Sequence, residues 1–195
     1  MTDSYNHLVA ATARPRLDNL LAALSLNLAE EASAALEEAS GVAGAAALAL
    51  LALEEFLGDA HVGHVAEVLG LTHSGAVRLV TQLETAGLAQ RRPGADRRRV
   101  EVRLTPAGRR RAGAARAARD AVVQETTGGL SAADATDLER LLTELVEARV
   151  RARMERRRTE GDARAWWCRT CDFAACGRPE GRCPAQVTAA ALLSP

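Results

Sequence analysis

Between residues 62 and 104 the apolar residues change period, and helices alone cannot accommodate the change. Over 62–86 they recur at the three-to-four spacing of helices. Val100, Val102 and Leu104 instead alternate with Glu101 and Arg103, the period of a half-buried strand. The punctuation agrees with this division. A first short helix over 62–69 closes at Gly70, Thr72 is placed to cap the next, and that helix, 73–86, ends at Gly87. Ala76, Leu79, Val80 and Leu83 form its inner face. Residues 88–92 and 99–104 read as two extended stretches joined by the turn Pro93-Gly94-Ala95-Asp96.

Two short helices joined by a Gly-containing turn and followed by a hairpin predict a winged helix-turn-helix, with small Ala66 letting the first helix brace the second. Long helices flank it. Leu17, Leu20, Leu21, Leu24, Leu28, Ala32, Ala35 and Leu36 define one over 16–39, stopped by Gly41, and a nearly all-apolar helix over 42–57 must be buried on most sides. Thr105-Pro106 starts a helix that Gly128-Gly129 breaks near 127. Ser131 with Asp134 opens the last, 132–158, striped by Leu138, Leu141, Leu142, Leu145 and Val146. The fold class is therefore mainly α with a small two-stranded β wing. The expected divisions are an N-terminal dimerisation helix at 1–40, the winged helix-turn-helix at 41–105, C-terminal dimerisation helices at 106–160 and a cysteine-rich tail at 161–195. Aromatic residues make up 3% of the chain, so the core must be built from Ala, Leu and Val. Long amphipathic helices at opposite ends of the chain exceed what the small winged core can cover, which predicts a homodimer.

Net charge is +0, yet the charges are segregated. Residues 1–60 hold nine acids against two arginines, whereas 88–119 hold eleven arginines against two acids, and lysine is absent. Arginine makes planar bidentate contacts with phosphates and guanine edges. Its concentration at the hairpin, directly after the helix pair, points to double-stranded DNA as the partner. Thr72, His73, Ser74, Val77 and Arg78 lie at the start and on the outer face of the second helix. Arg78 suits a guanine or phosphate, Val77 a thymine methyl, and His73 and Ser74 can donate to bases or phosphates. Arg91, Arg92, Arg97, Arg98 and Arg99 surround the hairpin, where a narrow minor groove would attract them. His61 and His64, three apart, are read as a helix cap before a metal pair.

No uncharged apolar run reaches the ~18 residues of a membrane helix, because Glu54 and Glu55 end the longest one. No basic segment leads into an apolar run at the N-terminus, so a cytoplasmic protein with reduced thiols is expected. No nucleophile turn or phosphate loop marks an enzyme.

The helix pair and hairpin resemble the MarR family of regulators over residues 40–115. The resemblance is carried by Val65-Ala66-Glu67, Leu69-Gly70, Arg78-Leu79-Val80, Leu83-Glu84, Gly87-Leu88, Asp96-Arg97-Arg98, Leu104-Thr105 and Gly108. It implies an obligate dimer with interlocked terminal helices, most plainly a repressor, on a pseudo-palindromic operator. It also implies that Asp96 braces Arg98, with Arg97 beside it, for entry into the minor groove, and that a small-molecule effector acts as a signal. Gly75 and Val77 depart from the hydroxyl residues common at those places, which affects base preference.

The tail lies outside that resemblance. Cys168, Cys171, Cys176 and Cys183 give the spacing C-x2-C-x4-C-x6-C, with Gly177 and Gly181 able to turn the backbone. A structural Cys₄ zinc site would fold a tail that has little core of its own. An iron–sulfur cluster uses the same ligands, and Cys183-Pro184 resembles the ending of ferredoxin motifs. The tail could thus serve a DNA-binding redox sensor, or act as a thiol switch without metal. In a reading of another class, the chain carries metal or electrons and does not bind DNA. Trp166 and Trp167 are expected to anchor the tail on the helices.

Overall fold

The computed structural model describes residues 14–94, 100–161 and 165–193 of the 195. The chain folds in the order α1 (Pro15–Ser40), α2 (Ala45–Glu55), β1 (Ala60–His61), α3 (Val62–Leu69), α4 (His73–Thr85), β2 (Ala89–Pro93), β3 (Val100–Leu104), α5 (Pro106–Thr127), α6 (Ala132–Glu160) and α7 (Pro184–Leu193). A 3₁₀ turn, Trp167–Thr170, precedes α7. The mainly helical class and the winged helix-turn-helix order match the sequence reading.

Three details differ from expectation. First, the sheet has three antiparallel strands in the order β1-β3-β2, because the two residues Ala60 and His61 pair with Val102 and Glu101. Two residues are too few to show a period, so this strand had no signature. Second, α2 begins at Ala45 rather than 42: Gly44 takes φ 58°, a conformation no helix contains, and its N–H donates to the Glu37 carboxylate at 2.8 Å. Third, Pro93 belongs to the end of β2 and not to the turn. β2 is an edge strand, where the missing amide of proline disrupts little.

The core is built around α2. Leu50 and Leu51 are fully buried, and Leu53 nearly so, against Leu57, Val65, Val68, Val80, Leu83 and Val102. α1 lies along α5, so the two terminal helices α1 and α6 do not simply cover one another. Leu17, Leu20, Leu21 and Leu24 on α1 remain 47–52% exposed, and Leu141, Leu142 and Leu145 on α6 remain 46–48% exposed. The N-terminal part of the α1 stripe and the middle of the α6 stripe are thus left uncovered by the chain's own packing, whereas Leu36, near the end of α1, is buried. α6 packs on α7, and a second small apolar cluster, Val150, Cys183 and Ala185, with Val146, Met154, Cys168, Cys176 and Ala189 around it, joins them to the tail. No single helix among the described residues is long and apolar enough to cross a membrane.

The wing is tied to the helix pair at one crowded point. The Thr105 amide donates to Leu88 O at 3.0 Å, its hydroxyl donates to Gly87 O at 2.8 Å, and the same oxygen caps α5 by accepting from Gly108 N at 3.0 Å. A Cβ at Gly108 would sit 1.9 Å from Leu88 O. Elsewhere inside a helix, Gly→Ala stabilises by about 1 kcal/mol. At this position we expect Gly108→Ala to destabilise by about 2–4 kcal/mol, read as a lower thermal or urea midpoint; an unchanged or raised midpoint would contradict the packing described.

Candidate nucleic-acid interface and cysteine module

The helix pair is fixed by its caps. His61 ends β1 in extended conformation and accepts at Nδ1 from His64 N at 2.9 Å, so it is the cap of α3. Thr72 caps α4 by accepting from Gly75 N at 3.1 Å. A Cβ at Gly75 would lie 3.1 Å from that hydroxyl, which explains why a small residue stands there. α4 buries Ala76, Leu79, Val80 and Leu83 against the core. Its opposite face exposes His73, Ser74, Val77, Arg78 and Thr81, so the outer-face residues named from the sequence share one surface.

The wing arginines divide into two roles. Arg92 is exposed at the edge of the sheet. Arg91 folds back: its guanidinium pairs with the Glu84 carboxylate and reaches Thr81 Oγ1 at 3.3 Å, while its amide donates to Glu84 at 2.9 Å. Arg91 therefore acts as a strut between β2 and α4 and offers less to a ligand than its sequence position suggested. Arg103, which sequence reading passed over, pairs with Asp59, just before β1, at 2.7 Å and with Glu101 of its own strand at 3.1 Å. Asp96, Arg97, Arg98 and Arg99 lie outside the described residues.

Between α4 and the wing lies an open cleft of about 830 Å³, whose lining includes His61, Gly63, His73, Val77, Arg91 and Val100. His61 and Gly63 join Val100 on this surface because β1 pairs with β3, a pairing that the linear pattern does not show. Donors at the helix starts and an apolar floor, with Arg92 exposed on the neighbouring strand, make the cleft suited to a phosphate backbone beside base edges.

The second constellation is the tail. Its backbone returns on itself through Gly177 and Gly181, both at φ 69°. Cys168 and Cys171 form one hydrogen-bonded pair and Cys176 and Cys183 another, and none of the four is in a disulfide. The hydrogen bond from Cys171, helped by the Arg178 guanidinium 3.7 Å from the sulfur, lowers the Cys168 thiol to about 6 against the pull of burial. Cys171 moves the other way, because it supplies that hydrogen bond and is itself buried, and the sulfurs of Cys168, Cys176 and Cys183 add to the effect. Burial chiefly raises Cys176. In number and kind the donors suit a thiophilic ion. As placed they are two pairs and not one cage: among the described residues no group of three or more His, Cys, Asp or Glu side chains is arranged to hold a metal ion.

Trp166 does anchor the tail, as expected. It stacks on Phe56, which stacks in turn on Phe173, with centroids 6.4 and 5.2 Å apart. Trp167 stays more than one-third exposed.

Comparison with known proteins places this geometry. Residues 40–99 match the MarR family. The fold is shared with the YusO protein of Bacillus subtilis (24% identity, TM-score 0.60, covering 68% of this chain and 94% of that one). It is shared too with a MarR family protein from Bacillus stearothermophilus (25%, 0.59, 67% and 90%). A third neighbour is MepR, a transcription regulator of the Staphylococcus aureus multidrug efflux pump MepA (21%, 0.59, 67% and 96%). A MepR variant has been solved bound to an oligodeoxyribonucleotide. No curated protein matches the chain in sequence. The family match ends well before the cysteine module.

In metal-free, reduced protein, iodoacetamide at pH 7 should modify Cys168 first. Its thiolate persists down to about pH 6, so the rate should fall only as pH drops through that value. A Cys168 rate that climbs only toward pH 9, as for an ordinary thiol, would contradict the hydrogen-bonded pair.

Proposed function

We propose that this chain, whose residues 40–99 belong to the MarR family, is a sequence-specific DNA-binding transcription regulator, a repressor acting as a homodimer on a pseudo-palindromic operator. The observation that carries the reading is the cleft between α4 and the wing, lined by His73, Val77, Arg91 and Val100, with Ser74, Arg78 and Arg92 exposed on the same two elements. Val77 and Arg78 face where base edges would lie. Arg92, and in the same reading Asp96 with Arg97, Arg98 and Arg99, serve the phosphates and minor groove.

The dimer follows from the two uncovered leucine stripes. Seven leucines, each about half exposed, would leave two apolar stripes bare on a monomer, and each would gain roughly 1 kcal/mol on full burial. A second copy presents the same stripes, and two-fold symmetry sets two α4 helices on two half-sites about one DNA turn apart.

The tail is proposed as a Cys₄ zinc site held by Cys168, Cys171, Cys176 and Cys183. Zinc supplies a redox-inert tetrahedral clamp when bound. Four thiols already gathered in adjacent pairs support it, and closing the two pairs on one ion would satisfy the buried Cys183.

Two substitutions separate the roles on the DNA face. Arg78→Ala should weaken binding to the preferred sequence by about 5- to 150-fold while sparing random DNA. Arg92→Ala should weaken both alike and reduce the slope of log affinity against log salt by about one. Fluorescence anisotropy on both DNAs measures this; if both variants bind as the parent does, the face is misassigned. Metal analysis of protein purified without oxygen should find one zinc per chain and no visible absorption, whereas a visible band would replace zinc by a cluster.

A further inference from the structure

The four thiols stand as two pairs, and the pairs differ in what a small reagent can reach. Cys176 and Cys183 are engaged from within. Cys183 is 3% exposed, buried with Val150 and Ala185, and the Cys176 thiol donates to Phe173 O at 3.5 Å. Cys168 and Cys171 are each only partly buried. Local backbone geometry sets these two side by side. Cys168 lies in the 3₁₀ turn Trp167–Thr170, and Cys171 N closes that turn by donating to Cys168 O at 3.1 Å. Side chains three residues apart eclipse one another in such a turn, so the two sulfurs meet and share a hydrogen bond.

The backbone carrying this pair is held by the core. Trp166 N donates to Val68 O of α3, and Phe173 N donates to the Glu55 carboxylate of α2, both at 2.8 Å. From α5, Arg116 donates to Cys171 O at 3.2 Å and Arg119 donates to Thr170 O. Two sulfurs fixed in this way need little further ordering to join. Their surroundings are also asymmetric. Arg178 lies over the Phe173 ring, its guanidinium carbon 4.5 Å from the centroid, and donates to the Cys168 sulfur at 3.7 Å. A charged donor therefore sits beside one sulfur of the pair, where a departing thiolate would carry its charge.

We infer that Cys168 and Cys171 form a redox site for small-molecule disulfides, with Cys168 the attacking sulfur and Cys171 the resolving one. In the first step Cys168 Sγ attacks one sulfur of a disulfide RSSR. That S–S bond breaks, a mixed disulfide forms on Cys168, and one RSH leaves with the bond's electron pair and the Cys168 proton. Cys171 Sγ then attacks the Cys168 sulfur. The second RSH leaves with the Cys171 proton, and the Cys168–Cys171 disulfide closes. The pair gives up two electrons and two protons, and the small disulfide takes up both. The inference goes beyond the DNA binding and the zinc site proposed above and requires neither. An ion on the four thiols would shield them, so this chemistry belongs to the ion-free chain.

The test uses the full chain, with its thiols reduced and any metal stripped by a chelator, incubated with oxidised glutathione. Iodoacetamide then blocks the remaining thiols, and tryptic peptides are read by mass spectrometry. Arg169 lies between the two cysteines, so a bond between them links two peptides, residues 165–169 and 170–182, and fragmentation places it. The expected product joins Cys168 to Cys171, with Cys176 and Cys183 carrying the block, and dithiothreitol reverses it. Cys171→Ser should instead retain glutathione on Cys168. Cys168→Ser should take up glutathione at least about tenfold more slowly than Cys171→Ser does. Four blocked thiols, a bond through Cys176 or Cys183, or glutathione that stays on Cys168 of the parent chain would overturn the inference. Equal uptake by the two serine variants would overturn it too, because the order of attack would be lost. None of these outcomes reads DNA affinity, so this inference and the DNA-binding reading fail separately.

Discussion

The buried helix α2 is the constraint on which the other elements depend. Ala47, Ala49, Leu50, Leu51 and Ala52 are wholly removed from solvent, so α2 can exist only with neighbours on every side. α1, α3, α4, α5 and β3 supply that cover. Small residues at 46, 47, 49 and 52 let those neighbours approach closely, which suits a protein with so few aromatic side chains. The same helix ends in Glu55 and Phe56, and these hold the cysteine module by its backbone and by aromatic stacking. One rigid post therefore serves both surfaces that carry chemistry.

Around that post, charge handles position and apolar residues handle cohesion. Arg91 and Glu84 set the hairpin against α4, Arg103 and Asp59 lock β3 beside the preceding turn, and Arg116 and Glu55 lock the tail. Arg91–Glu84 and Arg116–Glu55 are partly buried, so solvent screening of them is incomplete, whereas Arg103–Asp59 is exposed on both partners. Their main effect is geometric: each fixes one element's angle to another, which matters more than added stability for a surface meant to match two grooves of a duplex.

Much of this was legible in the sequence because the signals are local. The change of period between 62–86 and 100–104, the caps at Thr72, Thr105 and Ser131, and the stops at Gly41, Gly70 and Gly128 fix the element order. The outer face of α4 follows from its inner face by helical geometry alone. What escaped depends on contacts far apart in the chain. Strand β1 is two residues long and is defined only by its partner. Arg91 is read from sequence as one more wing cation, whereas Glu84, seven residues earlier, turns it inward. The tail's docking site could not be foreseen either: Glu55 and Phe173 are separated by 118 positions, and no pattern in either segment announces the other.

The account makes the paired surface of α4 and wing a reader of duplex DNA with two-fold symmetry. The most direct measurement is selection of bound sequences from a random double-stranded pool by the full chain. Enrichment of an inverted repeat with half-site centres about 10 base pairs apart is the predicted result, with binding weakened by roughly 10³-fold or more between 50 and 200 mM salt. A pool that emerges unenriched, or enriched in motifs without dyad symmetry, would contradict it.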